Sequence, residues 1–235
     1  MHRVGIAVVA LVAIVSFMLG AIAAGAYDLI RFPPLAKVAS VLARSGPSKP
    51  GAIPDPPQSA LAEAKLRDAL RRGGYVIYFR HTSTDFGQSD EAMTSYDDCT
   101  KQRNLTEQGR AEARAIGAAI AKLQIPIGDV LASPFCRTRE TARLIFGRET
   151  PSLAVRGGPA ATENPDRYSD LRKLLSTPVS RGVNLAIASH GNPFRAVAGT
   201  PYLAEGEAAV IEPRGKDGFR IVARITKDGW NALAT

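Results

Sequence analysis

The chain has 235 residues, of which 45% are hydrophobic and 22% are charged. This balance excludes disorder throughout, and the length is sufficient for one substantial core. Thirty basic against 22 acidic residues give a net charge of +8, which favours anionic partners such as phosphorylated substrates. Basic residues form no dense run and do not alternate with aromatic residues, so we expect no nucleic-acid partner.

The N-terminal residues 4–27 are apolar and contain no charge. About 20 apolar residues suffice to cross a bilayer core. The length favours an uncleaved anchor, although small residues at 21–26 would suit a signal peptidase. We therefore predict a signal anchor or signal peptide at 1–27. The domain would be anchored to the inner membrane and periplasmic, or secreted after cleavage.

A proline-rich tether is predicted at 28–58, because residues 45–58 contain five prolines. The folded domain is then residues 59–235. Its patterns predict helices at 59–72, 105–123, 138–146 and 166–176, and strands at 75–79, 129–133, 152–156, 184–189, 208–213 and 219–226. This alternation predicts a three-layer α/β/α domain with a largely parallel sheet, in which the final two strands suit an antiparallel edge.

Two of the three histidines follow apolar strands. His81 comes after YVIYFR and His190 after NLAIAS, at the strand ends where α/β sheets bind ligands. Arg80 and Arg137 also lie at strand ends. Four potentially cationic groups without obvious acidic partners would repel one another unless an anion lay between them, and arginine pairs bidentately with phosphate. We therefore predict a phosphate pocket at this edge.

A histidine in such a pocket is a candidate nucleophile. Neutral imidazole can attack phosphorus and form a phosphoramidate, which divides hydrolysis into two steps. The arginines would stabilise the charge on the equatorial oxygens. The sequence has no GxxxxGK[ST] loop, no acidic metal cluster at a strand end and no Cys-x5-Arg phosphate loop. We predict a phosphomonoester hydrolase that needs no metal or other cofactor.

The two cysteines, Cys99 and Cys136, fit no zinc-binding spacing. In an oxidising compartment they could pair and join two loops of the predicted site. Sequence separation does not fix the Cα distance that a disulfide needs, so a disulfide and two unrelated thiols both stay open.

Four stretches resemble, in order and spacing, the motifs of the histidine phosphatase superfamily, the phosphoglycerate-mutase-like group: RHT (80–82), LTEQGRAEA (105–113), SPFCRTRETA (133–142) and SHG (189–191). The chain is most similar to small bacterial histidine phosphatases. The resemblance implies a phosphoglycerate-mutase-like fold with His81 as the phosphate acceptor. It also implies that Arg80 and Arg137 bind the phosphoryl group and that His190 completes the pocket.

The resemblance further implies a general acid, usually a carboxylate on the loop after the third strand. Glu163 in GPAATENPDRY is our candidate, and Asp85, Glu205 and Glu207 are the alternatives. Thr82 stands where the family usually has Gly or Ala. Its hydroxyl would either touch the ligand or narrow the pocket.

The leading interpretation is a membrane-tethered or exported phosphomonoester hydrolase. A phosphotransferase or mutase, and a phosphate-binding or sensing module without turnover, stay open as alternatives. The polar loop (residues 83–104) lacks the mutase sequence and points away from a phosphoglycerate mutase. Predicted substrates are phosphorylated small molecules or envelope components, the latter from location and a loose similarity to enzymes of lipopolysaccharide modification. The oligomeric state is not predicted.

Overall fold

The computed structural model describes residues 63–157 and 166–235. The predicted apolar segment and tether lie outside these residues, and so does Glu163. Within the described ranges, no helix combines the length and the hydropathy needed to span a bilayer.

The described residues form an alternating series of helices and strands. The helices are α1 (Glu63–Arg72), α2 (Glu107–Lys122), α3 (Cys136–Phe146), α4 (Ser169–Ser176), α5 (Gly191–Ala198) and α6 (Gly229–Leu233). The strands are β1 (Val76–Arg80), β2 (Ile127–Ala132), β3 (Thr150–Pro151), β4 (Asn184–Ser189), β5 (Ala208–Pro213) and β6 (Phe219–Ile225).

The strands form one six-stranded sheet in the order β3-β2-β4-β1-β5-β6. Strands β3, β2, β4 and β1 are parallel, whereas β5 and β6 pair antiparallel. The predicted mixed sheet, with its final pair as an antiparallel edge, is therefore confirmed. The apolar runs of β1, β2, β4, β5 and β6 are each long enough to be identified as strands from the sequence.

Strand β1 contributes side chains to the core on both faces of the sheet. Ile77 and Phe79 pack into a cluster with residues of α1, α2 and α6. Val76 and Tyr78 belong to a second cluster with residues of α4 and α5. Helices thus cover both faces, which explains why β1 is apolar at consecutive positions instead of alternating.

The expected strand at 152–156 is wrong. The edge strand β3 lies just before it, and Leu153–Val155 forms a 3₁₀ turn. Val155 is fully buried, so its apolar character reflects contact with the core and not strand pairing. Helices α5 and α6 were not predicted, because Gly191-Asn192-Pro193 and Gly229 are residues typical of turns.

The register of β1 with β4 positions the candidate site. Arg80 lies opposite Ser189, and the backbone N–H of His81 donates to the Ser189 carbonyl at 3.0 Å. On the other side of β4, the N–H of Ser133 donates to the Ala188 carbonyl at 2.9 Å. The residues that follow β1, β4 and β2 therefore leave the sheet at the same edge.

Candidate active site

His81 is held in one tautomer at the end of β1. Only 1% of the residue is exposed. Its Nδ1 lies 3.0 Å from the Thr82 carbonyl oxygen, which can only accept a hydrogen bond. Nδ1 therefore carries the proton in the neutral ring, and Nε2 carries the lone pair that a nucleophile requires.

His190 lies beside His81 at the end of β4. The two ring centroids are 5.4 Å apart, with an interplanar angle of 70°. Nε2 of His190 is 2.9 Å from the Ser133 hydroxyl, and the Tyr78 hydroxyl donates to the His190 carbonyl at 2.8 Å. Burial raises the pKa of Tyr78, so its hydroxyl remains a donor. These contacts fix the ring and its backbone.

Close backbone approach also confines His190. A Cβ atom at Gly157 would lie 2.3 Å from Cδ2 of the imidazole, far inside van der Waals contact. Any side chain at position 157 would therefore displace the ring or the segment.

Arg80 extends from β1 toward the segment before β5. Its Nη1 donates to the Leu203 carbonyl at 2.8 Å, and its Nη2 is 3.4 Å from Oε1 of Glu205. The guanidinium also lies over the Tyr202 ring, 5.1 Å from the centroid. The arginine is thus fixed in place beside His81.

Arg137 lies in the first turn of α3. Its Nη1 and Nη2 donate to the two carboxylate oxygens of Asp90 at 2.9 and 3.0 Å. Nη1 also donates to the Arg103 carbonyl at 3.1 Å, and the guanidinium lies 4.5 Å from the Phe135 ring centroid. Buried in this position, the arginine presents a fork to which an anion with two oxygens can bind.

The four predicted residues converge on one pocket of about 650 Å³. It is lined by Arg80, His81, Gln88, Ser89, Asp90, Glu91, Met93, Arg103, Phe135, Arg137, His190, Gly191, Asn192 and Tyr202. The sequence did not indicate Arg103, Asp90 or Ser133. The first two come from the polar loop, where no periodicity fixes which side chains face the sheet, and Ser133 is one of many strand-end serines.

The cationic groups do have acidic partners, contrary to the expectation from sequence. Asp90 pairs with Arg137, and Glu205 pairs with Arg80. Both carboxylates come from loops distant in sequence, so their proximity depends on tertiary structure. The pocket lining carries three arginines, Arg80, Arg103 and Arg137, against the carboxylates of Asp90 and Glu91, and Glu205 beside Arg80 completes the balance.

Three residues considered for the site lie elsewhere. The Thr82 hydroxyl is 3.4 Å from that of Thr141 in α3, and Thr82 is not among the residues that line the pocket, so its role in substrate binding stays a prediction. Asp85 accepts from the Gly87 N–H at 2.8 Å. Glu207 pairs with Arg224 at 2.7 Å. Neither carboxylate reaches the pocket.

Glu205 lies on the Nδ1 side of His81, at 3.8 Å from that atom. It also accepts from the Thr84 hydroxyl at 2.7 Å and from the Thr84 N–H at 3.2 Å. This network holds Glu205 on the Nδ1 side of the His81 ring, away from Nε2. Its position suits electrostatic support of the ring better than protonation of a leaving group.

The disulfide question is settled by the structure. Cys99 and Cys136 are bonded, with their Cα atoms 5.7 Å apart. The bond joins the polar loop to the residue that precedes Arg137. Gln102 strengthens this junction, because its Oε1 accepts from the Cys136 N–H at 2.9 Å.

The electrostatic environment favours neutral imidazoles. Burial lowers the pKa of His81 well below its ordinary value of 6.5, and the nearby Arg137 and Arg80 lower it further against the opposing hydrogen bond to Thr82. Burial also lowers the pKa of His190 well below 6.5, with Arg137 and His81 acting in the same direction. Both rings are therefore neutral near pH 7, and each keeps a lone pair on one ring nitrogen.

Comparison with known families agrees with the sequence motifs. Residues 76–160 match the model of the histidine phosphatase superfamily (branch 1), which confirms the resemblance identified above. This segment includes Arg80, His81 and Arg137 and ends before His190. No curated protein matches the chain significantly.

Solved structures show similar folds at low identity. SixA from Agrobacterium tumefaciens is 15% identical, with a TM-score of 0.46 over 65% of this chain and 98% of that chain. Phosphoserine phosphatase from Entamoeba histolytica is 13% identical, with a TM-score of 0.47 over 66% and 98%. A mycobacterial protein named hydrolase 1 is 13% identical, with a TM-score of 0.50 over 65% and 98%. The last likeness supports the fold.

We expect both pocket imidazoles to remain neutral as the pH falls through the range in which an ordinary histidine titrates, because burial lowers the pKa of each ring. The measurement is an NMR titration of ring resonances in the full-length chain, assigned with His81→Asn and His190→Asn variants. The unfolded chain takes up these protons near pH 6.5, whereas the folded chain does not. The free energy of unfolding should therefore decrease as the pH is lowered past about 6.5. An ordinary titration near 6.5 for either ring would contradict the burial argument.

Proposed function

We propose that this member of the histidine phosphatase superfamily is a phosphomonoester hydrolase that works through a phosphohistidine on His81. The supporting observation is that two buried imidazoles, with ring centroids 5.4 Å apart, line the same pocket as Arg80 and Arg137. A neutral nucleophile beside two guanidinium forks is suited to a phosphoryl group, because the arginines neutralise charge that would otherwise repel the attacking electrons.

In the first step, Nε2 of His81 attacks phosphorus and the bond to the leaving oxygen breaks. The leaving oxygen takes a proton from the general acid. The ring becomes cationic while Nδ1 keeps its proton, and the Thr82 carbonyl at 3.0 Å accepts a hydrogen bond from it. Glu205, 3.8 Å from Nδ1, stabilises the same positive charge.

In the second step, water attacks phosphorus and the P–N bond breaks. The electron pair returns to Nε2, and the carboxylate formed in the first step takes the proton from water. Arg80 and Arg137 hold the phosphoryl oxygens through both steps, and His190 stabilises the transferring group. Inorganic phosphate then leaves, and His81 is again neutral.

Replacing the nucleophile tests the reaction. In the His81→Asn variant, phosphate release from an aryl phosphate should fall at least about 10³-fold, because no covalent intermediate can form. An acid-labile, base-stable phosphoprotein should appear in a quenched reaction of the parent and be missing from the variant. Thr100→Ala, a polar-loop substitution outside the pocket lining, is the matched control.

Equal activity of the parent and His81→Asn would disprove the proposal. Tight phosphate binding without any phosphoprotein would instead favour the phosphate-binding module. Transfer to an added alcohol without free phosphate would favour the phosphotransferase.

Glu163 is our candidate for the general acid, and its test depends on the leaving group. Glu163→Gln should reduce hydrolysis of alkyl phosphates about 10²-fold or more, because an alkoxide leaves poorly without a proton. Hydrolysis of 4-nitrophenyl phosphate should change much less. Glu107→Gln, a change to an exposed carboxylate outside the pocket lining, is the control. Equal losses on both substrates would argue against Glu163 as the acid.

We also propose that the domain works outside the cytoplasm on phosphorylated small molecules or envelope components. The support is the Cys99–Cys136 disulfide, since such bonds persist in oxidising compartments, together with the apolar segment at 4–27. In intact cells, an impermeant protease should degrade the chain only after the outer envelope is opened. The mass of the isolated protein should show whether residues 1–27 are retained. Protection of the domain in spheroplasts would contradict export.

A further inference from the structure

The carboxylate of Asp90 occupies the fork of Arg137. Both Asp90 oxygens accept from the two Nη atoms, at 2.9 and 3.0 Å, which is the bidentate arrangement that a phosphoryl group also uses. The Arg103 N–H donates to Oδ1 of Asp90 at 2.9 Å and fixes the carboxylate further. A phosphoryl group and Asp90 therefore compete for the same donors.

The polar loop holds Asp90 close to α3 through several contacts. The Cys99–Cys136 disulfide attaches the loop to the residue next to Arg137. Gln102 is buried, and its amide group donates to the Tyr96 carbonyl at 3.1 Å and accepts from Cys136. The Tyr96 ring contacts Phe135 edge-on, with the centroids 5.2 Å apart. These links limit how far Asp90 can move.

The charges of the two groups allow a phosphoryl group to replace Asp90 at the Arg137 guanidinium. A bound phosphate monoester has up to two negative charges and three acceptor oxygens, whereas Asp90 has one charge and two oxygens. The incoming group also meets Arg80 and the two imidazoles, which Asp90 does not contact. Displacement of Asp90 is therefore favourable for a phosphoryl group. The Asp90 side chain is 32% exposed, so it can turn toward solvent.

We propose that Asp90 is an internal competitor that weakens the binding of phosphate at Arg137 and thereby assists release of the product. This inference rests on the proposed function for its role in turnover, but the competition itself concerns binding alone. A competing group that must leave before the ligand binds lowers the apparent affinity in proportion to its own occupancy. The disulfide raises that occupancy by keeping Asp90 near the fork.

Calorimetric titration of the full-length chain with inorganic phosphate tests the competition. Asp90→Asn should bind phosphate about tenfold more tightly, the factor given by 1.4 kcal/mol, because the isosteric amide cannot pair with both guanidinium nitrogens. Asp97→Asn is the matched control, since Asp97 is an exposed carboxylate of the same loop that lies 3.9 Å from Arg139. It should change phosphate affinity less than twofold.

Steady-state kinetics give a second readout. In Asp90→Asn, KM and the inhibition constant for phosphate should fall together, while kcat stays equal or decreases because product leaves more slowly. Unchanged or weaker phosphate binding in Asp90→Asn would overturn the inference and would identify Asp90 as a positioning partner of Arg137. That result leaves the His81 phosphoprotein test unaffected, so the two failures are distinguishable.

The role of the disulfide is tested by combining substitutions. The pair Cys99→Ser and Cys136→Ser should tighten phosphate binding by a smaller factor, about two- to threefold, because Asp90 is then less often at the fork. Adding these changes to Asp90→Asn should give no further gain, since the competitor is already removed. Independent, multiplicative effects would show that the disulfide does not act through Asp90.

Discussion

The parallel pairing of β1 with β4 is the constraint on which the site depends. It sets Arg80 opposite Ser189, and so the next residue of each strand is a histidine at the same edge. Neither imidazole could form such a pocket alone, because each is buried and needs the other strand to complete its surroundings. A shift of one residue in this register would direct one ring to the opposite face of the sheet. The β1–β4 register that forms the sheet is thus also the register that brings the two histidines together.

Charge in the pocket is balanced by loops and not by the sheet. Arg80 ends β1, and His81 and His190 directly follow β1 and β4, whereas Asp90 and Glu205 come from the segments 83–104 and 203–207. The two carboxylates differ in position. Glu205 lies on the Nδ1 side of His81 and contacts Thr84 as well as Arg80, which gives it a fixed place. Asp90 lines the pocket itself.

The sequence was sufficient for five of the six strands and for Arg80, His81, Arg137 and His190 in the site. Apolar runs identified β1 and β4, and the residues directly after them are placed by strand geometry alone. The same reasoning could not find Asp90 or Arg103, because an irregular loop has no period from which to deduce a direction. It also failed at 152–156, where a buried turn has the composition of a strand, and at α5, where Pro193 is tolerated because it lies in the first turn.

The sequence also could not predict roles that depend on the direction of a side chain. Thr82 follows His81 in sequence, yet its hydroxyl lies 3.4 Å from that of Thr141 in α3. Ser133 and Tyr78, which hold His190, were missed because they are distant from it in sequence and meet it only through contacts between different strands. Only the folded backbone determines which neighbours in sequence are neighbours in space.

The close packing of Gly157 against His190 ties a backbone position to the geometry of the site. A Cβ atom at Gly157 would lie 2.3 Å from the imidazole, so no larger residue fits unless the ring or the segment moves. Gly157 does not line the pocket, yet a substitution there would alter the pocket indirectly, by shifting His190.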